Sequence, residues 1–197
     1  MTTAPQPPRP YEPVSPVEPG GGPALRIEPA RAVVEPISFE TAGGDEASAR
    51  AEAVRRGVVD VRLEVFVVEQ QVPVILEIDA RDEEATTVHV LARGADGTPL
   101  AAGRLLSDPA HPGEVHLGRL AVRLIARGTG LGASMVAAIE AEALARHGSG
   151  VRVALSAQEQ AMGFYERCGY RAVSGERYMD AGIPHQDMAR TLTRASR

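Results

Sequence analysis

At 197 residues, 44% of them hydrophobic, the chain is long enough for one domain of ordinary size with a substantial core. Its net charge of −5 argues against nucleic acid as a partner, because neutralising phosphates takes a basic face. All 21 basic residues are arginine, which excludes Schiff-base and titrating-lysine chemistry, and the single cysteine leaves no internal disulfide.

Ten of the fifteen prolines fall in the first 36 residues, together with Gly20-Gly21-Gly22. Such a stretch cannot bury enough apolar surface to offset its ordering entropy. Residues 1–34 are therefore expected to form a disordered tail, a solubilising extension or a ligand for a proline-binding module, and residues 35–197 the folded domain. No charged leader with an apolar core opens the chain, and no run approaches the ~20 apolar residues of a membrane span. With one cysteine suiting a reducing compartment, a cytoplasmic protein without membrane contact is expected.

A first strand is expected over residues 36–41. Over residues 45–70 the pattern turns helical, with Val54, Val58, Val61, Val65 and Val68 at helical spacing, Asp45 as a cap and Gly57 as a break. Residues 86–92 read as a strand, Asp96-Gly97 as a hairpin turn, and residues 99–106 as the returning strand, followed by a loop over 107–113. A further strand covers 115–122, a helix runs through Met135, Val136 and Ile139, and another strand covers 151–156. A helix around Tyr165 follows, with Cys168 as a packing residue at its end, and residues 178–192 supply the last strand or pair. Strands interleaved with helices define a mixed α/β (α+β) sheet. Gly118, in an otherwise apolar strand, marks either a β-bulge or the close approach of a neighbour.

Arg127-Gly128-Thr129-Gly130-Leu131-Gly132 joins a strand to an amphipathic helix. Glycines let backbone approach a ligand, and the unpartnered amides at a helix start favour phosphate oxygens. A P-loop is excluded, since it ends in Gly-Lys-Ser/Thr. Gly128-x-Gly130-x-x-Ala133 fits a loose dinucleotide fingerprint. The turn follows its strand only after five residues, however, and the next strand lacks the acid that would hold a ribose. Taken as Arg127-x-x-Gly130-x-Gly132, the segment resembles the acyl-CoA signature of the GCN5-related N-acetyltransferases (GNAT). Phe164-Tyr165, followed by Gly169-Tyr170, is similar to a stretch that these enzymes carry after their fifth strand. Residues 65–70, 182–188 and the Ala157-Gln158 pair resemble the ElaA-like branch of the superfamily, and the likeness covers about residues 58–190.

The resemblance implies a GNAT fold, a mixed and mostly antiparallel sheet flanked by helices. It implies acetyl-CoA as co-substrate, with the pyrophosphate on residues 127–132 and the pantetheine arm along the backbone of Leu120, Ala121 and Val122. The acceptor is expected to be a primary amine of a small molecule or a peptide, attacking directly in a ternary complex. Read from its own pattern, Tyr165 packs helix against sheet; the resemblance makes it the general acid for the leaving thiolate. Base candidates are Glu69, Glu77, Asp79, Asp82, His89, His116 and His185, with Glu69 foremost because it closes an apolar helix face. His89 also reads as a satisfied sheet residue, His185 as a substrate-side group, and the acidic run over 77–84 as a solvated face. The five histidines have no ligand spacing, so no metal site is expected. The alternative function is a non-catalytic acyl-CoA-binding module, with a dinucleotide-dependent oxidoreductase a weaker third. No pattern specifies an oligomeric state.

Overall fold

The computed structural model describes residues 36–193, so the tail expected over residues 1–34 lies outside the described residues. Seven strands form one sheet: β1 (Ser38–Gly43), β2 (Thr87–Arg93), β3 (Pro99–Ser107), β4 (Glu114–Val122), β5 (Arg152–Gln158), β6 (Arg171–Asp180) and β7 (Ile183–Thr191). They lie in the order β1-β2-β3-β4-β5-β7-β6, and every neighbouring pair is antiparallel except β4–β5. The helices are α1 (Ala49–Arg62), α2 (Val74–Glu77), α3 (Leu131–His147) and α4 (Met162–Arg167).

Period-two alternation in β2 builds two cores. Val88, Val90 and Ala92 pack with Met135, Val136 and Ile139 of α3, while Leu91 packs with Val54, Val58 and Val61 of α1. Helices on both faces explain why β2 is buried from Thr87 to Ala92. At roughly 1.5–3 kcal/mol for each fully buried aliphatic side chain, these two layers are the main source of stability.

α1 starts three residues later than expected, because Ser48 rather than Asp45 caps it; the Ser48 hydroxyl accepts from the Ala51 amide at 3.1 Å. The helix also runs through Gly57 without a break. A Cβ there would come within 2.6 Å of Leu91 Cδ2, so this glycine answers to packing of α1 on β2. Beyond Arg62 the chain continues as a π-helix over Leu63–Glu69, closed by the Gln70 amide on the Val65 carbonyl at 3.1 Å.

β4 and β5 pair for three residues only, from Glu114↔Arg152 to His116↔Ala154. β5 stays bonded to β7 as far as Gln158↔His185, and β4 stays with β3, so the two parallel strands part and leave a wedge between them. β6 begins at Arg171, earlier than the sequence pattern indicates, because this edge strand is exposed along its whole length and carries no burial alternation. It turns into β7 through Ala181 and Gly182, both at positive φ (48° and 79°).

Candidate active site

The wedge contains a cavity of about 590 Å3 whose walls come from the π-helix, β4, β5, α4 and the β6–β7 turn. On its β4 side the expected bulge is present. Ala102 pairs with Ala121 and Arg104 with Gly118, so Gly103 alone opposes both Arg119 and Leu120. No heavy atom lies within 4 Å of a Cβ built on Gly118, which removes the close-packing alternative there. The left-handed residue of the bulge is Arg119 (φ 53°), a conformation costing roughly 1–2 kcal/mol for a residue with a Cβ. Its side chain holds it in place: Nη2 donates to the Leu76 carbonyl at 3.0 Å and to Asp79 Oδ2 at 3.2 Å, and Nε to the Glu77 carbonyl at 3.2 Å.

The glycine loop leaves the splayed end of β4 through a 3-10 turn, Leu124–Ala126, and opens α3. Gly128 (φ 77°) and Gly130 (φ 90°) are glycine because the turn is left-handed at both positions. Gly132 is glycine for a different reason, since a Cβ would sit 3.3 Å from the Phe164 ring. Thr129 Oγ1 donates to the Ala126 carbonyl at 2.8 Å and braces the turn. The Leu131 amide donates to Thr129 Oγ1 at 3.4 Å, and Ser134 is the residue whose amide bonds back to the Gly130 carbonyl (3.2 Å), so the amides of Gly132 and Ala133 point out of the helix start. With the dipole of a 17-residue helix behind them, they form an anion-binding end.

Arg127 stands at this loop with its donors engaged. Nη1 and Nη2 reach the two carboxylate oxygens of Glu69 at 2.6 and 2.7 Å, and Nε donates to the Val122 carbonyl at 2.8 Å. The hydrogen bonds from Arg127 hold the Glu69 carboxyl below its ordinary range. Glu69 is also absent from the cavity wall, to which its neighbour Gln70 belongs. A paired carboxylate with a lowered pKa is a weak proton acceptor, and the geometry places Glu69, first among the expected base candidates, as the ion-pair partner of Arg127.

The other carboxylate candidates are occupied as well. Arg62 binds Glu77 at 2.5 Å and Asp82 at 2.8 Å, Arg104 binds Asp79 and Asp82 at 2.8 Å, and Arg119 adds Glu77 and Asp79 at 3.2 Å. Three arginines thus neutralise three acids in and beside the core. The run over 77–84 is in this part a buried network rather than a solvated face. Burial pushes the Asp82 carboxyl up, but the hydrogen bonds and charge of Arg62 and Arg104 outweigh it and bring it to about 2. His89 is buried in β2 outside the cavity, its Nε2 against the Asp82 carbonyl at 2.8 Å, and burial lowers its pKa. The ring is thus a sheet residue partnered at Nε2 alone, since its buried Nδ1 has no hydrogen-bond partner among the described residues.

The structure brings His116, Tyr165 and His185 to one cavity with Leu120, Ala121, Val122 and Arg127. Tyr165 sits on α4 between the edges of Phe164 and Tyr170, at centroid distances of 5.0 and 5.9 Å, and burial raises its phenol pKa. His116 is half exposed beside Glu114 at 3.5 Å. His185 is only 8% exposed; its ring stacks on Tyr178 at 6.2 Å, and its Nδ1 lies 2.8 Å from the Ile183 carbonyl. Gln158 Nε2 donates to Gln70 Oε1 at 2.9 Å and ties β5 to the end of the π-helix. Two features escaped the sequence reading. One is the arginine trio, whose signal was arginine inside apolar patterns at positions 62 and 104. The other is the Tyr178 hydroxyl within 2.6 Å of both Ser156 Oγ and Asp187 Oδ1, which only the β5-β7-β6 order assembles. Among the described residues, no cluster of three or more His, Cys, Asp and Glu side chains could hold a metal ion, and no helix is long and apolar enough to cross a membrane.

This is the fold of an acyl-CoA N-acyltransferase. A crystal structure of such an enzyme from Pseudomonas aeruginosa superposes with a TM-score of 0.69 and 33% identity, covering 79% of this chain and 100% of that one. The chain belongs to the GNAT acetyltransferase family, whose acetyltransferase (GNAT) domain matches residues 49–192. It is 40% identical over 129 residues to YjcF of Bacillus subtilis, an uncharacterised N-acetyltransferase, covering 65% of this chain and 86% of that protein. It is 32% identical over 138 residues to ElaA of Escherichia coli, covering 70% and 88%. The crystal structure of E. coli ElaA superposes with a TM-score of 0.68 and 28% identity, over 78% of this chain and 99% of that one.

Proposed function

We propose that this acyltransferase moves an acetyl group from acetyl-CoA to a primary amine of a small molecule or peptide, by direct attack within a ternary complex. One observation carries the reading: Arg127 at the head of the glycine loop, the free backbone edge of β4 beyond its bulge, and Tyr165 all border the same cavity. The donor set fits the co-substrate part by part. Loop amides with Arg127 suit a diphosphate, Leu120 to Val122 offer strand-like partners to the amides of pantetheine, and the cavity receives the thioester. An amide at the bulge, near Leu120, would strengthen its bond to the carbonyl oxygen as negative charge develops there. Tyr165 is the proposed acid: burial keeps the phenol protonated until a thiolate departs beside it.

Thermal denaturation tests the binding half of this reading. Saturating acetyl-CoA should raise the melting temperature by several degrees while NADH leaves it unchanged, since a ligand at about 100 times its Kd stabilises by about 2.7 kcal/mol. A shift with NADH and none with acetyl-CoA would replace this reading with the dinucleotide one.

A further inference from the structure

We infer that His185, acting through Nε2, is the general base that takes the proton from the attacking ammonium; this rests on the acetyltransferase reading above. Hydrogen-bond polarity fixes the tautomer of this ring. A backbone carbonyl only accepts, so Nδ1, 2.8 Å from the Ile183 carbonyl, carries the ring proton. In a neutral imidazole that leaves the lone pair on Nε2.

The ring is also held in one orientation. His185 pairs with Gln158 across β5–β7 and with Tyr178 across β6–β7, and it stacks on the Tyr178 ring with an interplanar angle of 21°. Tyr178 is in turn fixed by hydrogen bonds to Ser156 and Asp187. Although 8% exposed, His185 lines the same cavity as Tyr165. None of the other base candidates combines these properties. Glu69, Glu77, Asp79 and Asp82 are spent on arginines, His89 lies outside the cavity, and His116 is half exposed with no stacking partner given by a neighbouring strand.

Each proton in the transfer has a donor and an acceptor. His185 Nε2 takes one proton from the ammonium, and the freed amine forms a bond to the thioester carbonyl carbon. As that adduct collapses, the carbon–sulfur bond breaks and the Tyr165 hydroxyl protonates the thiolate. The nitrogen, now part of an amide, returns a proton to the Tyr165 oxygen. His185 then releases its proton to solvent, so the products are the N-acetyl amide, free CoA thiol and one proton.

Charged and titratable groups around the ring are Tyr178 and Asp180 from β6, Asp187 from β7, Glu159 with its partner Arg177 beyond the end of β5, and His116, Tyr165 and the Glu77–Arg119 pair across the cavity. Of these, only His116 is a second imidazole. The test therefore compares pH profiles of kcat/KM, read by thiol release with a reactive amine, for the wild type, His185→Gln and His116→Gln. His185→Gln should lower kcat about a hundredfold, a typical general-base contribution, with acetyl-CoA affinity unchanged and the acidic limb gone. The limb should persist in His116→Gln. A His185→Gln profile that keeps the acidic limb, or a loss under threefold, overturns the assignment and leaves the acetyltransferase reading standing. A wild type that releases no thiol with any amine overturns both. A long-range 1H–15N spectrum of the wild-type protein decides the geometry independently of folding in the variant: Nδ1-protonated His185 is expected, and an Nε2-protonated ring overturns the proposal.

Discussion

Arg127 reaches Glu69 with both terminal nitrogens, so a diphosphate arriving at the glycine loop meets a carboxylate already in the arginine's fork. An ion pair this exposed is worth roughly 0.2–1 kcal/mol, and the carboxylate also repels the phosphates. Glu69→Gln should therefore tighten acetyl-CoA binding by about two- to fivefold in calorimetry at low ionic strength, with the gain shrinking as salt is added. Weaker binding in Glu69→Gln would instead make the pair an organiser of the loop. Tyr165→Phe belongs to the same scale. It should lower turnover at least tenfold with acetyl-CoA affinity nearly intact, and unchanged turnover would remove the tyrosine from the chemistry.

Among the elements, the bulge in β4 couples strain to position. Arg119 is left-handed, and its guanidinium is anchored to residues 76–79 at the opposite lip of the cavity. Arg119→Gly relieves the strain and loses the tether, whereas Arg119→Ala loses the tether and keeps the strain. The glycine variant should be the more stable of the two by about 1–2 kcal/mol in urea unfolding, with both impaired in turnover. Equal stability would mean that the left-handed geometry costs nothing. The bulge was legible in the sequence as a glycine out of place at 118, but its left-handed residue was not, because an arginine at positive φ is held by contacts 40 to 43 residues away. The loop over 127–132 was legible because strand, glycines and helix are contiguous. Base assignment lay beyond such reading: Glu69 meets Arg127 across 58 residues, and the orientation of His185 depends on β6 and β7 pairing.

In the whole molecule, the Arg62–Glu77–Asp82–Arg104–Asp79–Arg119 network joins α1, the end of α2 with the segment after it, β3 and β4. Asp82 links acid stability to this network. Its folded pKa of about 2 lies below the ordinary value of 3.8, so its contribution is fully present above about pH 4 and is lost as pH falls towards 2. That contribution is of the order of 2 kcal/mol, and urea titrations between pH 6 and pH 2 should show a shallower fall in stability for Asp82→Asn than for the wild type. Identical slopes would place the acid sensitivity elsewhere. The sequence displayed the acids of this network but not their pairing, since no local pattern relates residues 62, 104 and 119 to residues 77–82.

The central claim is that the glycine loop, the bulged strand and Tyr165 make one acetyl-transfer site. Its most direct test is thiol release from acetyl-CoA across a panel of polyamines, aminoglycosides, amino acids and peptides, with each amine product weighed by mass spectrometry. At least one amine should accelerate release well above hydrolysis and gain a single acetyl group, and Tyr165→Phe should suppress both signals together. Saturable acetyl-CoA binding with no amine-dependent release would contradict the account and leave an acyl-CoA-binding module in its place.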